Sequence, residues 1–377
     1  MNASVRPDAI VIGGGIVGAA CAAALARDGA RVTVVEGSFV GGGTTAAGMG
    51  HLVVMDDSPA QFALTAYSQR LWAELAPELD RRCELDPCGT LWIAEDDLQM
   101  DAVRAKQAMY ARAGISTDVL DSRQLAEAEP ELRLGLAGAL LVPSDGVLYP
   151  PGAALRLIEI ARSHGATLRE RAEVIRIAPN AVCVAGETLR ADVVVNAAGA
   201  GAARLTPELP IVPRKGHLAI TDRYPGFCRH QLVELGYLVS AHVMSDESVA
   251  FNVQPRATGQ VLIGSSRELG GWSGGINERV LGRMLQRATE FMPRLAGLSV
   301  VRCWAGFRPA TPDKLPLIGR WAPTPGLWIA TGHEGLGITA SLGTGQMLAD
   351  MIAGRPPAID PGPFAPTRVL VTAGATS

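Results

Sequence analysis

Short apolar runs bounded by glycine alternate along this chain with stretches of helical period, and the alternation changes character in its second half. Asp8-Ala9-Ile10-Val11-Ile12 is a continuous apolar run with the length and β-branched content of a buried parallel strand. It enters Gly13-Gly14-Gly15-Ile16-Val17-Gly18, after which an alanine-rich helix is expected to about Arg27, ended by Gly29. Arg31-Val32-Thr33-Val34-Val35 returns as a strand that ends in Glu36. Ser58 to Leu79 places Phe62, Leu64, Leu71, Trp72 and Leu75 at helical spacing, a core face rather than a cofactor contact. A strand over Gly89–Ala94, a helix over Asp96–Ala113, a short turn-helix over Gln124–Pro130 and a strand over Ala137–Val142 then form a separate lobe.

A helix from Gly152 to His164, stopped by Gly165, leads to a strand-like run Thr167–Ile177 and a β pair at Ala181–Val184 and Glu187–Leu189. Asp192-Val193-Val194-Val195-Asn196-Ala197-Ala198-Gly199 is again a buried parallel strand, ending in small residues. From Ile211 to about Arg302 the pattern becomes period two, with strands at Lys215–Thr221, Gln231–Val239, Val249–Gln254 and Gln260–Gly264 and a helix from Asn277 to Met292. That predicts an antiparallel sheet with a covering helix. Trp304 to Gly319 reads as an apolar loop punctuated by glycine and proline, carrying Arg308. Last, Leu327–Thr331 is a strand entering Gly332-His333-Glu334-Gly335-Leu336-Gly337, followed by a small-residue helix to Ile352 that stops at Gly354.

Composition changes this picture little. The chain has 377 residues, 48% of them apolar and 19% charged, enough for two domains with sizeable cores. A formal net charge of −3, with no basic block, argues against a nucleic-acid partner. No run of apolar residues reaches membrane-spanning length, and the N-terminal stretch lacks signal-peptide character, so a cytoplasmic protein is expected. Six cysteines are scattered; Cys83 and Cys88 have no second Cys/His pair near them, so reduced thiols are expected and no metal site.

The first strand, glycines, helix, strand and terminal acid make a βαβ dinucleotide fingerprint. Gly13 permits the tight turn, Gly15 lets main chain approach a pyrophosphate, and Gly18 lets helix and strand pack closely. The amides opening the helix, at Ile16 and Val17, would face the phosphates. Glu36 is placed for an adenosine ribose and would repel the 2′-phosphate of NADP. A second small-residue loop follows directly, Gly41-Gly42-Gly43-Thr44-Thr45-Ala46-Ala47-Gly48-Met49-Gly50-His51, which suits an extended FAD better than NAD. Ala197, Ala198 and Gly199 leave room for a ligand at the strand ends. The second strand–glycine–helix unit, Gly332 through Gly337 and on to Ile338 and Thr339, would aim a helix N-terminus at the electron-rich edge of a flavin. His51 could face the flavin or cap its loop. Tyr237, His242, Asn252 and Arg256 could line the sheet or face solvent. For Arg308 two readings stand: a clamp for a substrate carboxylate, or a structural arginine satisfying backbone carbonyls.

With these segments together the chain resembles the D-amino-acid oxidase/glycine oxidase/sarcosine oxidase family of FAD enzymes along nearly its full length. The likeness rests on Gly13–Gly18 with Glu36, Ala46-Ala47-Gly48-Met49, Asn196-Ala197-Ala198-Gly199, Gly306-Phe307-Arg308-Pro309 through Gly319, and Gly332-His333 with Gly337. Within that family it is most similar to catalytic subunits of the D-hydroxyproline dehydrogenase, opine oxidase and hydrogen cyanide synthase type, with the stretch Ala46–Asp57 closest to the D-hydroxyproline enzymes. The resemblance implies an α/β plus α+β architecture: a Rossmann-like FAD-binding domain of glutathione-reductase type (1–80, 145–208 and 305–360) with an inserted antiparallel-sheet substrate domain (81–144 and 209–304) and a loosely ordered tail (361–377). It implies that Arg308 binds the substrate carboxylate, that Met49 lies near flavin and substrate, and that the main chain at Val174 meets the adenine. With Arg308 and Met49, His51, Tyr237 and His333 complete the expected catalytic set. Glycine oxidases commonly carry an arginine where this chain has Gly335, which argues against glycine and leaves room for a bulkier ring. The implied substrate is a small carboxylated amine, oxidised by hydride transfer from its α-carbon to flavin N5. Partner subunits carrying further redox centres are implied as well. A 2-hydroxy-acid dehydrogenase and an electron-relaying flavin subunit stay open as alternatives.

Overall fold

The computed structural model describes residues 8–236, 247–269 and 272–368. Its first large sheet has six strands in the order Leu317–Arg320, Leu327–Thr331, Val193–Asn196, Asp8–Ile12, Arg31–Val35 and Thr167–Arg169. Neighbours run parallel, except that the edge strand Leu317–Arg320 is antiparallel to Leu327–Thr331. Both faces are covered, which is why the strands read as unbroken apolar runs. Ala9 and Val11 pack with the helices on one face, while Ile10 and Ile12 pack under the opposite face.

Helix Ile16–Arg27 lies against helix Gly337–Ile352, and their small residues set the distance between them. A Cβ added to Gly345 would stand 2.6 Å from the Ala20 carbonyl oxygen. The two strand–glycine–helix units, far apart in sequence, thus form adjacent halves of one layer.

The second sheet has eight strands in the order Val300–Ala310, Val212–Arg223, Gln260–Leu269, Glu247–Pro255, Gln231–Glu234, Thr90–Ala94, Gly138–Val142 and Asp118–Asp121. It is mixed rather than wholly antiparallel, because Gln231–Glu234 runs parallel to Thr90–Ala94. That one pairing joins the early lobe to the later strands in a continuous sheet. Helix Glu278–Phe291 covers it, capped by the Asn277 side chain and stacking Phe291 on Phe251 with ring centroids 4.3 Å apart.

Several expectations need correction. Arg308 stands on a strand, not a loop: Val300–Ala310 pairs with Val212–Arg223 in register from Ala310 back to Val300. The second sheet therefore extends to residue 310, past the boundary expected at 304. The run Thr167–Ile177 splits at Arg171, which takes φ +53; its first part joins the parallel sheet and Val174–Ala178 a separate three-stranded sheet. The tail is fastened at its start: Phe364 is 1% exposed, and Arg368 reaches Asp313 at 2.7 Å. The strand expected over Gln231–Val239 is a strand through Glu234, and Tyr237 and His242 lie outside the described residues.

Candidate active site

The parallel strands end at a cavity of about 370 Å3, within the ordinary range for a small-molecule site. One end of it is main chain. Gly13 leaves its strand with φ +102, and a Cβ there would sit 2.6 Å from the Ala197 carbonyl oxygen. A Cβ on Gly18 would lie 2.0 Å from the Gly13 carbonyl, so neither position tolerates a side chain. Gly15 faces the cavity, where an added Cβ would meet only the Thr45 hydroxyl, at 3.3 Å. No side chain caps helix Ile16–Arg27 in the usual way; the Thr45 hydroxyl accepts from the Ile16 amide at 3.0 Å, leaving other first-turn amides for an anion. Helix Gly337–Ile352 also starts without a side-chain cap, with Gly335, Gly337 and Ile338 on the wall. Two uncapped helix starts and a glycine cradle fit a dinucleotide whose pyrophosphate and ring edge both need donors.

Glu36 sits at the end of its strand and accepts the amides of Gly14 and Ser38, each at 2.7 Å. An ionised carboxylate has acceptor capacity left for a ribose hydroxyl. Thr44 donates to the Phe307 carbonyl at 2.7 Å and so ties the second glycine loop to the strand bearing Arg308. Val174, Ala197, Ala198, Gly199 and Gly306 also line the cavity, as do Val17, Ala47, Gly48 and Met49.

Other expected contacts lie off the wall. Ala46 is exposed, while Gly18 is packed beneath the cradle. Gly332 makes a turn at φ +83 against Thr311, and Leu336 packs into an apolar cluster. Thr339 accepts from the Val53 amide and donates to the His51 carbonyl, so it positions the His51 loop. Arg256 is bound by Glu84 and the Leu148 carbonyl, away from the cavity.

The opposite end is built from side chains. Arg308 lies over Gly216 and donates from Nη1 to the Ser266 carbonyl at 2.8 Å. A Cβ on Gly216 would stand 2.3 Å from that guanidinium, so the glycine inside a strand was the signal of a close approach. Gly335 passes 3.8 Å from the Arg308 side chain, measured from its ideal Cβ position. Glu334 bridges Arg214 and Arg267, each at 3.2 Å. Burial alone would raise its pKa, but Arg267 and Arg214, with Arg308 and Lys314 beyond, hold it below the ordinary value. Glu334 has φ +49 and no residue-type signal in the sequence would have singled it out.

Burial lowers the His333 pKa to about 3, and its Nε2 pairs with the Thr344 hydroxyl at 2.9 Å. That nitrogen is committed to the helix, so His333 is placed as a neutral wall rather than as a proton carrier. His51 is brought down to about 4 by burial; Gln254 and Asn252 oppose the shift and Arg308 adds to it. Met49 is buried, with its thioether facing Gly264 and Leu218.

Known proteins agree with this arrangement. The model of the family described as FAD dependent oxidoreductase (DAO) matches residues 8–351. Glycine oxidase of Pseudomonas aeruginosa is 32% identical over 388 residues, covering 95% of this chain and 98% of that protein. The crystal structure of glycine oxidase from Geobacillus kaustophilus superposes with a TM-score of 0.86 at 29% identity, covering 96% of this chain and 99% of that one. That of L-proline dehydrogenase from P. horikoshii gives 0.86 at 25% identity, covering 96% and 97%. The chain belongs to the FAD dependent oxidoreductase (DAO) family, and FAD is its cofactor. Among the described residues no helix is long and apolar enough to cross a membrane.

Proposed function

We propose that this chain oxidises the C–N bond of a small amino or imino acid, of the D-proline or D-hydroxyproline type, whose carboxylate is held by Arg308. The observation that carries the reading is the placement of Arg308: fixed to the Ser266 carbonyl, on a strand tied through Thr44 to the cofactor loop. A planar guanidinium so anchored presents a rigid fork to a carboxylate. Similarity to glycine oxidase and L-proline dehydrogenase supports an amine substrate, and the small Gly335 beside Arg308 leaves space for a ring. The D configuration rests on the resemblance of the Ala46–Asp57 stretch.

Bound FAD supplies a two-electron acceptor at its N5. The chain's own residues supply orientation and dryness. Arg308 fixes the carboxylate and thereby the direction of the α-carbon hydrogen, which is where an entropic gain in rate arises. Met49 and Leu218 keep that region apolar. His51 and His333 are neutral above about pH 5, so the substrate enters beside no added positive charge from them. The substrate amine takes part unprotonated: its lone pair forms the C=N bond as a hydride equivalent leaves the α-carbon. A cyclic substrate leaves as the pyrroline. Partner subunits that pass electrons onward are part of the same proposal.

The test is anaerobic titration of the FAD-loaded protein with D-proline, 4-hydroxy-D-proline, glycine and 2-hydroxyglutarate, read by flavin absorbance. Bleaching by the proline-type amines and not by 2-hydroxyglutarate is expected. Bleaching by the hydroxy acid alone would make this a hydroxy-acid dehydrogenase, and no bleaching by any of them would leave an electron-relay subunit.

A further inference from the structure

Three buried polar atoms meet at the cavity wall with no hydrogen-bond partner among the described residues: His51 Nε2, Asn252 Oδ1 and Gln254 Oε1. Asn252 is 4% exposed and Gln254 0%. Two residues apart on strand Glu247–Pro255, they share one face of the sheet. The amide of Gln254 is oriented, because its Nε2 donates to the Met49 carbonyl at 2.7 Å, which leaves Oε1 turned away from that bond. Asn252 pairs across the sheet with Gly264, whose missing side chain is replaced by the Met49 thioether. His51 stands against both amides, and His51 and Asn252 both line the cavity that Arg308 enters.

An orphaned buried acceptor costs about 1–3 kcal/mol, so three together in a folded protein call for a ligand group. The chemistry selects which. A carboxylate only accepts and cannot satisfy Asn252 Oδ1; an ammonium only donates and cannot satisfy a protonated His51 Nε2. A hydroxyl does both.

We propose that His51, Asn252 and Gln254 form a polar wall that takes a hydroxyl borne by the substrate beyond its carboxylate, so that the preferred substrate is a hydroxylated ring rather than a plain one. This rests on the reading that Arg308 holds the carboxylate. Asn252 is the specificity-determining residue, His51 the group that completes the hydroxyl's bonding, and Gln254 the residue that fixes Met49 and narrows the wall.

The test uses two ligands without an amine, cyclopentanecarboxylate and 3-hydroxycyclopentanecarboxylate, titrated calorimetrically into the FAD-loaded protein. The hydroxylated ligand is expected to bind about tenfold more tightly, the ratio that one satisfied buried acceptor gives. Asn252→Leu, nearly the same shape, should abolish that preference without lowering the melting temperature, since it removes an unpaired polar atom. Asn252→Ala, which adds no bulk, should abolish it too. Equal binding of the two ligands by the unaltered protein would overturn the proposal and mean that water alone serves the wall. A preference that survives both substitutions, or one lost only together with thermal stability, would also overturn it. Neither ligand can be oxidised at a C–N bond, so this result is readable even if proline-type amines fail to bleach the flavin.

Discussion

At one end of the cavity Gly13, Gly15 and the amides opening helix Ile16–Arg27 present main chain; at the other, Arg308, His51, Asn252 and Glu334 present side chains. The first end comes almost wholly from residues 8–36, with Glu36 folded back onto the Gly14 amide. The second comes from strands and turns that are hundreds of residues apart in the chain, such as Thr44 with Phe307 or Met49 with Gln254. A cradle of main-chain donors is general for a cofactor: it depends on backbone shape, and glycine is its limiting requirement. A wall of side chains is particular to a substrate, because each group can be exchanged without rebuilding the backbone. The contrast teaches that damage at the first end should appear as loss of fold and flavin together, and damage at the second as altered substrate handling with the flavin retained.

The largest expected effect breaks the cradle. Gly18→Ala drives a methyl group to 2.0 Å from the Gly13 carbonyl, and something must shift. A loss of roughly 3 kcal/mol or more in stability is expected from such overpacking against backbone, with the protein isolated largely free of flavin. Retention of full flavin content and an unchanged melting temperature would break the comparison.

Next is Arg308→Ala. The Michaelis constant for carboxylated amines should rise about 100-fold or more, since truncating one partner of a desolvated charge pair costs about 2–5 kcal/mol, while the flavin spectrum stays unchanged. Normal kinetics on carboxylated amines would remove Arg308 from the substrate end altogether.

The smallest effect concerns His333, which belongs to the wall by position but to the helix by its Thr344 bond. Its folded pKa of about 3 lies below the ordinary value of 6.5. Between those values the unfolded chain binds a proton that the folded chain does not, so this group's contribution is complete above pH 6.5 and is lost as pH falls. Buried Asp145, raised to about 7, acts in the opposite sense over part of the same range, so a difference between variants is the clean measure. Denaturant unfolding of the unaltered protein and His333→Asn should therefore diverge in pH slope by about one proton between pH 4 and 6. Identical slopes would mean that His333 is protonated in the folded protein and faces a charge rather than a hydroxyl.

Much of the architecture was legible in the order of residues. The apolar run Asp8–Ile12, its glycines and the acid at Glu36 specify a strand, a turn and a helix from nearest neighbours, and the helix cap at Asn277 is likewise local. Both strand–glycine–helix units could be found without knowing that they pack against each other. The loop assigned to Trp304–Gly319 went wrong because Gly306 and Pro309 weaken any intrinsic strand preference; ten residues of Val212–Arg223 supply the pairing that overrides it. The same register brings Gly216 beneath Arg308, and no local signal could pair those two positions.

What the sequence determined by itself was therefore the cofactor end, because backbone conformation is set by the steric demands of a few adjacent residues. What only the tertiary structure decided was the substrate end. The convergence of His51, Asn252, Gln254 and Arg308 follows from strand register in a mixed eight-stranded sheet, and register is a sum of long-range pairings that no single stretch of chain contains.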